Sequence, residues 1–190
     1  MSTTEPIRDK KQVFELSEYY LTRGETRNYV LITFGLYTAL RISDLLRITW
    51  DDVYDFKNKN VFESICVTEK KTNKSKIIAL NKGVINALSI YASSARPGVP
   101  LFLNKHTGTA ISRIQAYRLI RTAAEATEIQ NRISCHSLRK TFGYHAWKKG
   151  ISPAIIMDIY NHSSLAVTRR YLGVTQDDKN DVYLSLDLTA

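Results

Sequence analysis

The sequence is poor in the residues that mark special chain types. Two cysteines, Cys66 and Cys135, occur in 190 residues and form no CxxC pair, which excludes a disulfide framework and points to a reducing cytosol. Eight glycines and four prolines are too few for a collagen-like, linker-like or low-complexity chain. Long apolar runs are also missing: the longest, Tyr29 to Leu40, is interrupted by Thr33 and Gly35 and is too short to span a bilayer. The polar start MSTTEPIRDKK has no apolar signal-peptide core. No membrane role is expected, and a cytoplasmic location is. The length suits one main domain with a real hydrophobic core.

Acid is the other shortage. Asp and Glu number 18 against 27 Lys and Arg, a formal net charge of +9. Such a surplus is the electrostatic footprint of a polyanion binder, because each phosphate neutralised by Lys or Arg releases condensed counterions. A basic surface kept for solubility has the same composition, so the charge acquires meaning only beside a motif.

Periodicity predicts a mostly helical chain interrupted early by one small antiparallel sheet. Apolar residues at helical spacing run from Lys11 to Arg23, with Gly24 as a stop, and again from Thr26 to Leu40. Ser43 and Asp44 are N-cap candidates for a short helix carrying Leu45, Leu46 and Ile48. Val61 to Thr68 and Ile77 to Leu80 read as the strands of a hairpin whose tip and flanks carry Lys70, Lys71, Lys74 and Lys76. Helices are then predicted at Gly83–Ser93, from an N-cap at Ser112 to Thr127, from His136 to Lys149 ahead of Gly150, and from Pro153 to Tyr160. Asp177 to Leu186 suits a last short helix, although the alternation of Leu184, Leu186 and Leu188 with polar residues also suits a strand.

Three blocks carry the chemistry. They are Ala39-Leu40-Arg41-Ile42-Ser43-Asp44-Leu45, His136-Ser137-Leu138-Arg139-Lys140-Thr141-Phe142, and Asn161-His162-Ser163-Ser164 leading to Arg170-Tyr171. Two guanidinium forks match phosphate oxygens and stay charged, two imidazoles exchange protons near neutrality, and a phenol can attack phosphorus. Together they suit a phosphodiester.

These blocks resemble the tyrosine recombinase family of the phage-integrase type, over about residues 10 to 175. The resemblance rests on His136 and Arg139 at H-x-x-R spacing, His162, and Tyr171 nine residues after it, preceded by the Arg41 block. It implies an α+β, mainly helical catalytic domain with a small three-stranded sheet, within residues 1–176, and a tail, 177–190, that packs on a neighbouring protomer. It also implies roles. Arg41 and Arg139 clamp the scissile phosphate with His136 and His162, Asp44 supports them, Tyr171 forms a 3′-phosphotyrosine, and Lys71 protonates the leaving 5′-hydroxyl. No metal, ATP or other cofactor is needed. Lys70, Lys74, Lys76 and Lys140 are expected on the DNA backbone. The implied partners are double-stranded DNA, three further copies of the chain in a tetramer on two sites, and an accessory DNA-bending or directionality factor, in a phage or other mobile element.

Asn161 stands where the family has Gly before the histidine. Larger members also carry an N-terminal helical clamp domain that the residues ahead of the first helix do not supply, so the expectation is either a naturally short integrase or an excised catalytic fragment. Other readings compete residue by residue. Arg41 could simply cap a helix, Cys135 with His106, His136, His145 and His162 could suggest zinc but lacks ligand spacing, Tyr160 and Tyr183 rival Tyr171, and any of the hairpin lysines could replace Lys71. At the level of function the alternatives are a type IB topoisomerase and a catalytically silent DNA-binding regulator.

Overall fold

The computed structural model describes residues 4–187. Helix α1 (Lys10–Glu18) starts where the Asp9 carboxylate accepts the Lys11 N–H, and a 3₁₀ turn at Leu21–Arg23 replaces its expected last turn. Helix α2 (Thr26–Tyr37) is buried nearly all round and forms the spine of the fold. It stops three residues earlier than its apolar run, because Ala39 adopts a left-handed φ of 56°, and the Ala39 carbonyl accepts from Arg139. Helix α3 (Ile42–Leu45) follows, with Arg41 itself at the N-cap position instead of the expected Ser43 or Asp44. Asp44 lies inside this turn, buried, and accepts the Lys70 backbone N–H at 3.0 Å.

The sheet region differs from the single three-stranded sheet that the resemblance implied. Strands β1 (Tyr54–Asp55) and β2 (Asn60–Val61) pair, as do β3 (Ser64–Thr68) and β4 (Ser75–Ala79), all antiparallel. Between the two ladders the chain is irregular at Phe62 and Glu63. The Phe62 N–H reaches Val53 O on one side and the Leu80 N–H reaches Glu63 O on the other, so one meander is split in two. A third pair, β5 (Leu103–Asn104) with β6 (Thr109–Ala110), went unread because each strand has two residues.

Helix α4 (Lys82–Tyr91) is capped by Asn81, and α5 (Arg113–Ala126) by Ser112 in a capping box with Gln115. Helix α6 (Cys135–Lys148) begins at an unforeseen Ser134 cap, and α7 (Pro153–Tyr160) at Ser152 with Pro153 in its first turn. Helix α8 (Leu165–Leu172), capped by Ser164 and closed by left-handed Gly173, carries Tyr171 and was not anticipated. The tail is helical, α9 (Gln176–Ser185), which settles strand against helix; Leu188 lies outside the described residues.

One large core joins α1 to α6 and the hairpins, and a second, smaller one gathers Ala39, Ile156, Tyr160 and Leu172 beneath α6, α7 and α8. Helices α2 and α6 approach closely at Gly35, where a Cβ would sit 2.6 Å from Leu138 Cδ1. The segment before α1 straps this second unit together. Ile7 is fully buried; its N–H donates to Thr141 Oγ1 and its carbonyl accepts from His145 Nε2, while Arg8 Nη2 donates to Gly173 O.

Candidate active site

The turn after α7 is the centre of the site. Asn161 takes a left-handed φ of 49°, and the last helical carbonyl, Tyr160 O, accepts Arg139 Nη2 at 2.8 Å and Arg41 Nη2 at 3.3 Å. A second acceptor for Arg139 is Ala39 O, presented by the left-handed turn that ends α2. Two arginines distant in sequence are therefore brought together on one carbonyl, that of Tyr160. Arg139 is 1% exposed, and burial, followed by the neighbouring Arg41 charge, pushes its affinity for the proton down. The acceptors and the Tyr160 ring, 4.3 Å from its guanidinium carbon, compensate.

His162 and Tyr171 complete the cluster. Their ring centroids are 4.7 Å apart, and Arg139 stands 6.0 Å from the Tyr171 ring. His162 Nδ1 lies 3.1 Å from Thr168 Oγ1, and that hydroxyl donates to Ser164 O, which assigns the Nδ1–H tautomer and leaves Nε2 as the open acceptor. Burial, then the Arg139 and Arg41 charges, hold His162 down at about 4, so the ring is neutral near pH 7. His136, exposed at the start of α6, is likewise pushed down by partial desolvation and by Arg139, Lys140 and Arg41.

The rival tyrosines are differently situated. Tyr160 is fully buried and its hydroxyl donates to Arg139 O at 2.5 Å, a structural bond. Tyr183 is 80% exposed on α9. Tyr171 is partly open and borders a cleft of about 740 Å³ that Lys140, Arg169, Arg170 and Lys179 also line.

The lysines separate sharply. Lys70, Lys71 and Lys74 are exposed around the β3–β4 turn, with Lys71 close enough to His162 to depress its proton affinity. Lys76 is not at the tip. It occupies an inward position of β4 opposite Val67, its Nζ donating to Ile159 O at 3.0 Å and standing 3.0 Å from Glu69 Oε1. Lys140 Nζ donates to Thr4 O at 2.5 Å and lies 5.8 Å from the Tyr171 ring.

Sequence reading missed Glu69, whose side chain is 0% exposed and whose Oε2 accepts Arg41 Nη1 at 2.6 Å. It missed Thr168 and the Tyr160 carbonyl as well. Only Asn161 gave a signal, as the residue type suited to a left-handed turn. Among the described residues no group of His, Cys, Asp or Glu could hold a metal ion, and no helix is long and apolar enough to cross a membrane.

Known proteins resemble this chain in sequence and in fold. The model of the phage integrase family matches residues 8–177. A probable integrase/recombinase, YoeC of Bacillus subtilis, is 37% identical over 183 residues, 96% of this chain and 97% of its own. Tyrosine recombinase XerD of Staphylococcus saprophyticus is 28% identical over 153 residues; the match covers 77% of this chain but 50% of that protein. Among solved structures, the XerH site-specific recombinase in a post-cleavage complex with its palindromic difH substrate superposes with a TM-score of 0.77 at 16% identity, over 97% of this chain and 54% of that one.

Proposed function

The chain belongs to the phage integrase family and has the fold of a tyrosine recombinase catalytic domain, and on that footing we propose that it cuts and rejoins double-stranded DNA as a site-specific recombinase. What supports the reading most is one observation: Arg41, Arg139, His162 and Tyr171, drawn from three distant segments, meet around the Tyr160–Asn161 turn. XerH, a similar fold, is described bound to its DNA substrate.

In this reading Arg41 and Arg139 bind the non-bridging oxygens of the scissile phosphate, where charge builds in the transition state. His136 extends the cradle from the α6 N-terminus. The open Nε2 of neutral His162 accepts the proton of the Tyr171 phenol, and Tyr171 Oη forms a bond to phosphorus as the bond to the 5′-oxygen breaks. Lys71, exposed at the hairpin tip, donates a proton to that oxygen. The 3′-phosphotyrosine conserves the bond energy, so a 5′-hydroxyl of another strand reverses the step without ATP or metal. Asp44 supports Arg41 indirectly by fixing the hairpin through the Lys70 N–H.

Lys70, Lys74 and Lys140 are read as contacts to the DNA backbone. Residues 1–176 form the catalytic unit, and 177–190 dock on a neighbouring copy in a tetramer on paired sites. The setting is cytoplasmic, in a phage or other mobile element, with an accessory DNA-bending or directionality factor as partner. Incubation with nicked suicide duplexes followed by mass spectrometry tests the core of this: an adduct on Tyr171 is expected, and an adduct on Tyr160 or Tyr183 refutes the assignment.

A further inference from the structure

The deepest ionised group of the site is an acid for which the mechanism above has no use. Glu69 sits at the start of the β3–β4 turn with its carboxylate sealed from solvent. Oε2 accepts Arg41 Nη1 at 2.6 Å and the Thr72 hydroxyl at 3.0 Å, and Lys76 Nζ lies 3.0 Å from Oε1. Asn161 is near enough to this carboxylate to favour its charged form. Four parts of the chain thus meet on one residue: the α3 N-cap, the hairpin turn, β4, and the turn between α7 and α8. Desolvation works against the charged form, yet the neighbouring Asn161, Lys76 and Arg41 outweigh it and hold Glu69 at about 2. It is an anion at every working pH.

Arg41 depends on it. Its other bond, to Tyr160 O, is long at 3.3 Å, so the 2.6 Å contact to Glu69 fixes where the guanidinium points. Arg139, by contrast, is held by two carbonyls and needs no acid. Three cations, Arg41, Lys76 and Arg139, also crowd together and oppose one another's charge. One carboxylate among them leaves a net positive site for a phosphate diester.

Building on the strand-cleavage reading, we propose that Glu69 is a positioning residue that aims Arg41 and anchors Lys76 beside the scissile phosphate, giving up phosphate affinity in exchange for the orientation of Arg41. The carboxylate repels the incoming phosphate while holding the group that must grip it. A residue of purely structural purpose would not link the two effects with opposite signs.

The test uses the full chain, with Glu69→Gln and the double variant Glu69→Gln/Lys76→Met, which also removes the lysine that would otherwise be left buried without its partner. Single-turnover adduct formation on a nicked duplex is measured at saturating DNA, and the dissociation constant separately. Both variants are expected to form adduct roughly 10- to 100-fold more slowly. Glu69→Gln is expected to bind DNA tighter, on the order of tenfold. A folded variant reacting at the wild-type rate overturns the proposal, and so does slowing accompanied by equal or weaker binding. Loss of a cooperative melting transition in both variants overturns it too, since Glu69 would then hold the fold and not the site. Absence of adduct from the wild-type chain overturns strand cleavage and this proposal together, whereas a wild-type adduct with an unslowed variant overturns only the latter.

Discussion

Replacing Gly143 by alanine tests whether Tyr160 is the keystone described above. A Cβ at Gly143 would stand 2.2 Å from Tyr160 Oη, 3.0 Å from Cζ and 3.1 Å from Cε2. A flexible surface side chain would swing aside at little cost. Tyr160 cannot, because it is fully buried, its ring is flanked by Arg139 at 4.3 Å and by His162 and Tyr171 at 4.9 and 5.5 Å, and its hydroxyl is bonded to Arg139 O. Overpacking costs about 1–3 kcal/mol, and a 2.2 Å contact with a ring that cannot move belongs in the upper part of that range, about 2–3 kcal/mol, while replacing a mid-helix glycine by alanine returns about 1 kcal/mol. The net loss should be about 1–2 kcal/mol, or a fall in melting temperature of about 2–8 °C for a chain of this size. Adduct formation should fall further than stability, because Tyr160 O carries bonds from both arginines. Tyr160→Phe alone should cost about 1 kcal/mol for its hydrogen bond. It also removes the atom at 2.2 Å, so the double variant should be more stable than the sum of the singles by about 1 kcal/mol or more. Urea melts of the four proteins decide the matter: an unchanged or raised stability for Gly143→Ala, or strict additivity in the double variant, refutes the reasoning.

Tyr171→Phe should keep the melting temperature and DNA affinity but yield no covalent adduct by mass spectrometry. Lys71→Ala should slow cleavage by roughly 10²–10⁴ and recover on a substrate with sulfur in place of the bridging 5′-oxygen, whose thiolate leaves unprotonated; rescue of Lys76→Ala instead would move the proton donor to β4. His162 is held down at about 4 from its ordinary 6.5, so as pH falls from 6.5 towards 4 the unfolded chain takes up the proton first and stability drops. His162→Gln should flatten that part of a stability-against-pH curve, and an unaltered slope would show that the imidazole is not buried as described. Removal of residues 177–190 should lower the melting temperature by less than about 4 °C, since Val182, Tyr183 and Leu184 are 63%, 80% and 87% exposed and the Lys148–Asp178 ion pair is among the ties removed, yet it should weaken tetramer assembly on paired sites; a large drop in melting temperature would mean that the tail covers its own core.

Residues legible in the sequence were those whose purpose is local or fixed by spacing. Ser112, Ser152 with Pro153, and Gly150 declare helix ends through cap chemistry that depends on a few neighbours. Arg41, His136, Arg139, His162 and Tyr171 were found as candidates because phosphate chemistry restricts residue type and the family restricts order. The unread residues obey a partner elsewhere in the fold. Strand β4 places Lys76 inward and leaves Ile77 78% exposed, the reverse of the hydrophobic alternation, so by pattern Lys76 belonged to a solvated tip. The buried carboxylate of Glu69, together with the Ile159 carbonyl, makes a lysine tolerable at that inward position. Glu69 in turn is one acid beside a run of lysines, and nothing within its own segment distinguishes it from a surface charge. Ala39 repeats the lesson for the backbone. Its left-handed turn costs an L-residue about 1–2 kcal/mol, a conformation no local signal requests, and it is sustained by the bond from Arg139, 100 residues away. The site is thus built where long-range pairing overrides local preference, and there one sequence read segment by segment supplies the parts without their connections.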